Sequence, residues 1–140
     1  MKKIFFIFIL FISILSFAEN EQDIIPRILE IVPQDNPDYK ILDRLYDLGI
    51  LKDSGLYKPG TILPRRDFAA LTLFALIKVD NIKDFGIEYY ITFSDLRNIL
   101  KLVYEYSPEI VKMFPKKLDE INDKVTRIEK RLQLEVKINS

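Results

Sequence analysis

No cysteine and no histidine occur anywhere in the 140 residues. Without cysteine there are no disulfides, no thiolate nucleophiles, no Cys-based zinc sites and no lipid attachment through an N-terminal cysteine. Without histidine the usual general base and every imidazole triad are gone. A surplus of one charge is lacking too, since 21 basic side chains face 21 acidic ones. A nucleic-acid binder needs a basic excess to neutralise phosphates, so the balance argues against that class. A chain of this length holds one small domain plus an appendage, not two full domains.

What is present begins with a strong asymmetry. Met1-Lys2-Lys3 is basic, Ile4 through Phe17 is apolar apart from Ser13 and Ser16, and Ser16-Phe17-Ala18 gives a small-x-small pattern before Glu19. This order predicts a secretory signal peptide over residues 1–18. The competing reading is an uncleaved anchor, but the apolar stretch falls short of the roughly 20 residues a membrane span needs. Loss of Lys2 and Lys3 with the signal tips the balance slightly acidic. The expected product is exported to the periplasm or cell envelope, soluble or peripheral to a membrane.

The rest of the chain reads as all-α. Residues 19–37 hold a short helix over about Asp23 to Ile31, ended by Pro33-Gln34-Asp35-Asn36-Pro37. Tyr39, Leu42, Leu45 and Tyr46 mark one face of a helix that stops at Gly49. A loop follows from Ile50 to Leu63. A second helix starts near Pro64 and carries Phe68, Leu71, Phe74, Ala75 and Leu76. After a linker at 80–91, Thr92-Phe93-Ser94-Asp95 reads as a capping box opening a connecting helix over 92–113. Ser107-Pro108 and Pro115 read as helix restarts, because proline fits a first turn.

From Val111 the period tightens. Val111, Phe114, Leu118, Ile121, Val125, Ile128 and Leu132 alternate in steps of three and four, which predicts an a/d seam and a short coiled coil over 114–133. The competing reading is a single amphipathic helix packed on its own domain, with a wider apolar face. In the tail 134–140 the period changes again. Leu132, Leu134, Val136 and Ile138 alternate with polar residues, a strand pattern. Such a strand has nothing to pair with in a helical protein. It reads as a fraying tail, a strand for a partner, or the first strand of a missing barrel.

The stretch 38–79 resembles an S-layer homology (SLH) domain. The residues that carry this are Asp38-Tyr39-Lys40-Ile41-Leu42, Leu45-Tyr46-Asp47-Leu48-Gly49-Ile50, the loop Gly55-Leu56-Tyr57-Lys58-Pro59-Gly60-Thr61, and Leu63-Pro64-Arg65-Arg66-Asp67-Phe68-Ala69-Ala70. Pro64 stands where the family has Thr, Asp67 where it has Glu, and Tyr39 where it has Trp. Loss of the Thr hydroxyl removes a cap worth about 1 kcal/mol. Ile91 to Leu96, Leu100 to Tyr106 and the coil are similar to outer-membrane proteins with a single N-terminal SLH domain, a periplasmic coil and a C-terminal barrel. That resemblance implies attachment to peptidoglycan or to a secondary polymer carried on it, with Arg65 helping to bind the wall ligand. It also implies a homotrimer, because SLH units pack in threes and a parallel trimeric coil would supply the two missing neighbours.

Physical chemistry points to the same place. Arg65 and Arg66 open a helix, where the macrodipole is unfavourable to cations, and two guanidinium groups beside free amides suit an acidic ligand. Asp67 is the carboxylate that could neutralise one of them. Tyr39 and Tyr57 are candidate platforms for sugar rings. The expected protein is a non-catalytic envelope protein, with no cofactor or metal implied and the coil as its oligomer seam. The alternatives are a periplasmic coiled-coil adaptor or chaperone, and an outer-membrane porin truncated before its barrel.

Overall fold

The computed structural model describes residues 27–82 and 91–139, with side chains through Leu134. The signal peptide expected at 1–18, the start of the helix expected at Asp23 and most of the linker at 80–91 lie outside the described residues.

Among the described residues the fold is carried by α1 (Asp38–Asp47), α2 (Arg65–Asp80), α3 (Phe93–Glu105), α4 (Ser107–Met113) and α5 (Leu118–Asn139). Helix α2 is central and touches α3, α4 and α5, while α1 packs on α3. The all-α reading holds, and its boundaries follow local chemistry. Helix α1 ends because Gly49 takes a positive φ of 88°, and the Ile50 amide then reaches back to the Leu45 carbonyl at 2.9–3.0 Å along with Gly49 to Tyr46. This is a Schellman closure, which only glycine makes without strain. Helix α3 opens on the expected box: the Thr92 hydroxyl accepts from the Asp95 amide at 3.1 Å, and the Asp95 carboxylate accepts from the Thr92 amide at 2.9 Å. The same carboxylate takes both Nε and Nη2 of Arg44 at 3.2 Å, so the cap also ties α1 to α3.

Three expectations are corrected. First, residues 27–29 are helical, but Glu30 to Val32 is extended and runs antiparallel to Leu63–Arg65 through an isolated bridge at Ile31 and Pro64. The Glu30 carbonyl accepts from the Arg65 amide at 2.8 Å. Pro64 is the residue before the helix rather than in its first turn. The donor orphaned at the helix start is therefore satisfied by the segment upstream of α1.

Second, the seam residues Ile121, Val125 and Ile128 are 1–2% exposed against α2 and α3 of the same chain. Val111, Phe114 and Leu132 are partly buried on the same core, and Leu118 is half-buried. The buried face of α5 also includes Lys124 and Glu129, which widens it from an a/d line to the broad stripe of a helix packed on its own domain. Asp80 makes this possible. It accepts from Lys124 at 3.1 Å and from two nitrogens of Arg127 at 2.8 Å.

Third, the backbone of 134–139 continues α5 as helix. Once a helix is nucleated, each further residue adds a hydrogen bond at little cost, whereas a lone strand gains none. The connecting helix expected over 92–113 is divided at Tyr106, and α4 restarts at Ser107-Pro108 as its sequence suggested. Among the described residues no helix is long and apolar enough to cross a membrane.

Two carboxyls on the α5 interface shift in opposite directions. Hydrogen bonds from Arg127, then Lys124, hold Asp80 at about 2 against the opposing effect of burial. Burial pushes Glu129 up to about 7 despite the Tyr104 hydroxyl at 3.4 Å. Asp80 therefore stabilises the fold above its unfolded value near 3.8, and that contribution is lost as pH falls toward 2. Glu129 favours the proton when folded, so its contribution is full below about 4.5 and is lost as pH rises through 7. Urea midpoints measured across pH are expected to show Glu129→Gln flattening the decline between those values. Asp80→Asn is expected to flatten the acid limb and to cost about 3 kcal/mol at neutral pH, because the buried Lys124 keeps only the exposed Glu120 at 3.8 Å and Arg127 loses its carboxylate. Sedimentation velocity at several concentrations is expected to give a monomer, since the seam is filled within the chain.

Candidate functional site

The start of α2 is where the sequence places its candidate ligand residues, and the structure separates them. Arg65 lies inward with its side chain 15% exposed. Its Nε donates to the Glu109 carboxylate of α4, its Nη2 donates to the Glu105 carbonyl at 3.0 Å, and its guanidinium sits 4.7 Å from the centre of the Tyr106 ring. Glu109 is fully buried, with Arg27 3.6 Å from the same oxygen. Its other oxygen, Oε2, has no hydrogen-bond partner among the described residues. Arg66 remains at the surface with its side chain 53% exposed, 4.0 Å from the Asp67 carboxylate. The two guanidinium groups thus do different things: one is bound into the fold and one faces solvent.

The amides at this helix start are also engaged. Arg65 donates to Glu30, and Asp67 and Phe68 donate to the Pro64 carbonyl at 3.0 and 3.2 Å. An anion arriving here would find fewer free donors than a bare helix N-terminus offers.

The two tyrosines are in the interior. Tyr39 is 8% exposed; its hydroxyl donates to the Val32 carbonyl and accepts from the Leu63 amide, both at 2.8 Å. It thereby pins the upstream segment to the loop before α2. Its ring meets Phe68 edge-on at 4.9 Å, and Phe68 in turn stacks on Tyr106 at 4.8 Å with the rings 13° apart. Tyr57 is 4% exposed, donates to the Asp43 carboxylate and meets Tyr46 edge-on. Burial first, and then Asp43, pushes its hydroxyl well above the usual tyrosine range. Neither ring has a face open to a sugar.

Sequence reasoning missed Tyr106, Glu109 and Glu105, the groups that receive Arg65. The one local signal was an acid in the first turn of α4, a position the helix dipole favours. Tyr106 reaches further, donating to Asp38 of α1 at 3.1 Å. Asp38 also lies 3.8 Å from Lys101 of α3. A polar chain therefore runs from α2 through α4 and Tyr106 to α1 and α3.

The chain matches no protein-family model, and neither a curated protein nor a solved structure matches it.

Tyr39→Phe separates the two roles considered for that ring. Loss of the hydroxyl strands a buried carbonyl and a buried amide, so a loss of about 2 kcal/mol in denaturant unfolding is expected. A sugar platform would tolerate Phe without loss of stability.

Proposed function

We propose that this is a non-catalytic cell-envelope protein that attaches to peptidoglycan or to a polymer carried on it, through an SLH-like hairpin. What supports the reading is the succession of α1, loop and α2. Its first helix closes on Gly49, its loop carries Gly55 and Gly60 at φ 72° and 93°, and its second helix opens at Arg65. These fall in the order and spacing of the SLH-like residues. The cleavable signal proposed for residues 1–18 would deliver the protein outside the cytoplasm.

Two features adapt the reading to this chain. SLH units commonly pack in threes, whereas here α3, α4 and α5 cover the hairpin in cis, so one unit has a complete core. Arg65, the position through which the family meets its ligand, is paired with Glu109; Arg66 is the exposed cation of the two. Attachment would then rest on exposed cations around the hairpin rather than on an Arg65–Arg66 clamp. Acidic groups on a polymer would be met by several weak contacts, a mode sensitive to salt.

The test is co-sedimentation with purified sacculi, before and after acid stripping of attached polymers. Retention that weakens as salt rises is expected. If stripping abolishes it, the ligand is the attached polymer; if stripping leaves it intact, the ligand is the glycan or peptide of the sacculus. Absence from the pellet at low salt with both preparations would overturn the proposal.

A further inference from the structure

Upstream of α1, residues 30–32 pair with residues 63–65 through the single bridge between Ile31 and Pro64. The two bonds that make it come from the neighbours: the Val32 amide donates to the Leu63 carbonyl and the Arg65 amide to the Glu30 carbonyl, both at 2.8 Å. In an antiparallel pair this is the non-hydrogen-bonded position, so the main-chain groups of Ile31 and Pro64 point away from the ribbon. Its two outer edges then differ. On one, Pro64 has no amide, and its carbonyl is taken by the amides of Asp67 and Phe68. On the other, neither the amide nor the carbonyl of Ile31 bonds to any described residue.

The two faces of the ribbon differ as well. Side chains alternate along an extended chain, which sends Val32 and Leu63, each 3% exposed, into the core and sets Ile31, Ile62 and Pro64 on the opposite face. Ile31 is 58% exposed and Ile62 42%, with Leu29 also exposed just upstream. Open edges in soluble proteins are ordinarily guarded by a charge or a proline, and Ile31 is neither. The edge is also held in place. The Tyr39 hydroxyl sits between the Val32 carbonyl and the Leu63 amide, 2.8 Å from each, so the ribbon is fixed from the core side. A partner therefore meets an edge that is already ordered.

The chemistry of the occupant follows from these groups. An unpaired donor and acceptor on one residue are matched by an extended backbone, which offers an acceptor and a donor at the same spacing. A helix has spent its own backbone groups along its axis, and a simple ion answers only one of the two. The reach of the pairing is bounded. Pro33 has no amide and its carbonyl receives Asn36, while residues 27–29 are helical. The partner thus makes two main-chain bonds and draws the rest of its affinity from apolar side chains laid over Ile31 and Ile62.

We infer that Ile31 is an edge for β-strand addition: an extended stretch of another polypeptide, apolar at alternate positions, pairs its backbone with the Ile31 amide and carbonyl and covers Ile31 and Ile62. The inference is independent of wall attachment and gives the protein a polypeptide partner. With two main-chain bonds the contact is weak and exchanges readily.

Titration of the protein with the acetylated, amidated peptide Lys-Val-Thr-Val-Thr-Val-Lys, followed by amide NMR, tests it; the lysines keep the peptide from pairing with itself. Expected are shifts at residues 29–32 and 62–63, and slower hydrogen exchange at the Ile31 amide. The same peptide N-methylated at every Val and Thr keeps the side chains but loses the donors and the close backbone approach, and is expected to bind at least about tenfold more weakly. Ile31→Pro removes the outward donor without breaking a bond inside the protein, and is expected to weaken binding about fivefold. Leu134→Ser removes an equally exposed apolar side chain elsewhere and is expected to change affinity less than about twofold. If Ile31→Pro does not fold, as judged by its melting temperature, the N-methylated peptide carries the comparison. No shift along residues 29–32, equal binding of the N-methylated peptide, or unchanged Ile31 exchange at saturation overturns the inference. Slower Ile31 exchange on raising the protein concentration alone overturns it too, by assigning the edge to a second copy of this chain.

Discussion

The pairing of Arg65 with a fully buried Glu109 is the contact on which this arrangement of helices depends. A carboxylate taken out of water costs several kcal/mol unless a cation and hydrogen bonds answer it. Arg65 supplies both from the first residue of α2, and its planar guanidinium also lies over Tyr106. The break between α3 and α4 places Tyr106 and Glu109 where one arginine can reach them. Around this contact the chain has built a compact sequence of dependencies: Phe68 stacks on Tyr106, Tyr39 meets Phe68, and the Tyr39 hydroxyl holds the upstream segment against Leu63. That segment then returns the Glu30 carbonyl to the amide of Arg65 itself. The start of α2 is fixed from both sides.

Much of the helical framework was legible in the sequence because its signals are local. Gly49 marks a helix end that only a positive φ closes, and Thr92 with Asp95 writes a complete start signal within four residues. The periodic faces of Leu42 and Leu45, and of Leu96, Ile99 and Val103, are the faces that are buried. What could not be read was which distant group answers which charge. Lys124 and Glu129 look solvated in the sequence, so the buried face of α5 shrank to its apolar a/d line and resembled a seam between chains. Asp80, the acid that permits Lys124 to be buried, lies 44 residues earlier. The same distance separates Arg65 from Glu109. The tail was misread for a different reason: alternation over a few residues is a strand signal only if a ladder partner exists, and the running helix needs none.

These corrections change how the α1–loop–α2 unit can stand alone. Its flank is covered by helices of the same chain, so completeness does not require an oligomer. The arginine whose position most suggested ligand contact serves the fold, and the wall attachment we propose would fall to exposed cations such as Arg66. Under this account structure and attachment are divided between neighbouring arginines: Arg65 organises the interior, and Arg66 stays at the surface.

The most direct measurement is a double-mutant cycle on Arg65 and Glu109, read by denaturant unfolding with Arg65→Met, Glu109→Leu and the pair together. The account predicts a cost of about 3 kcal/mol for Arg65→Met, which leaves the buried Glu109 carboxylate only the longer contact to Arg27, and a double variant far more stable than the sum of the single losses implies. If Arg65→Met is as stable as the wild type and only its retention on sacculi is lost, Arg65 is a ligand residue after all and the central claim is wrong.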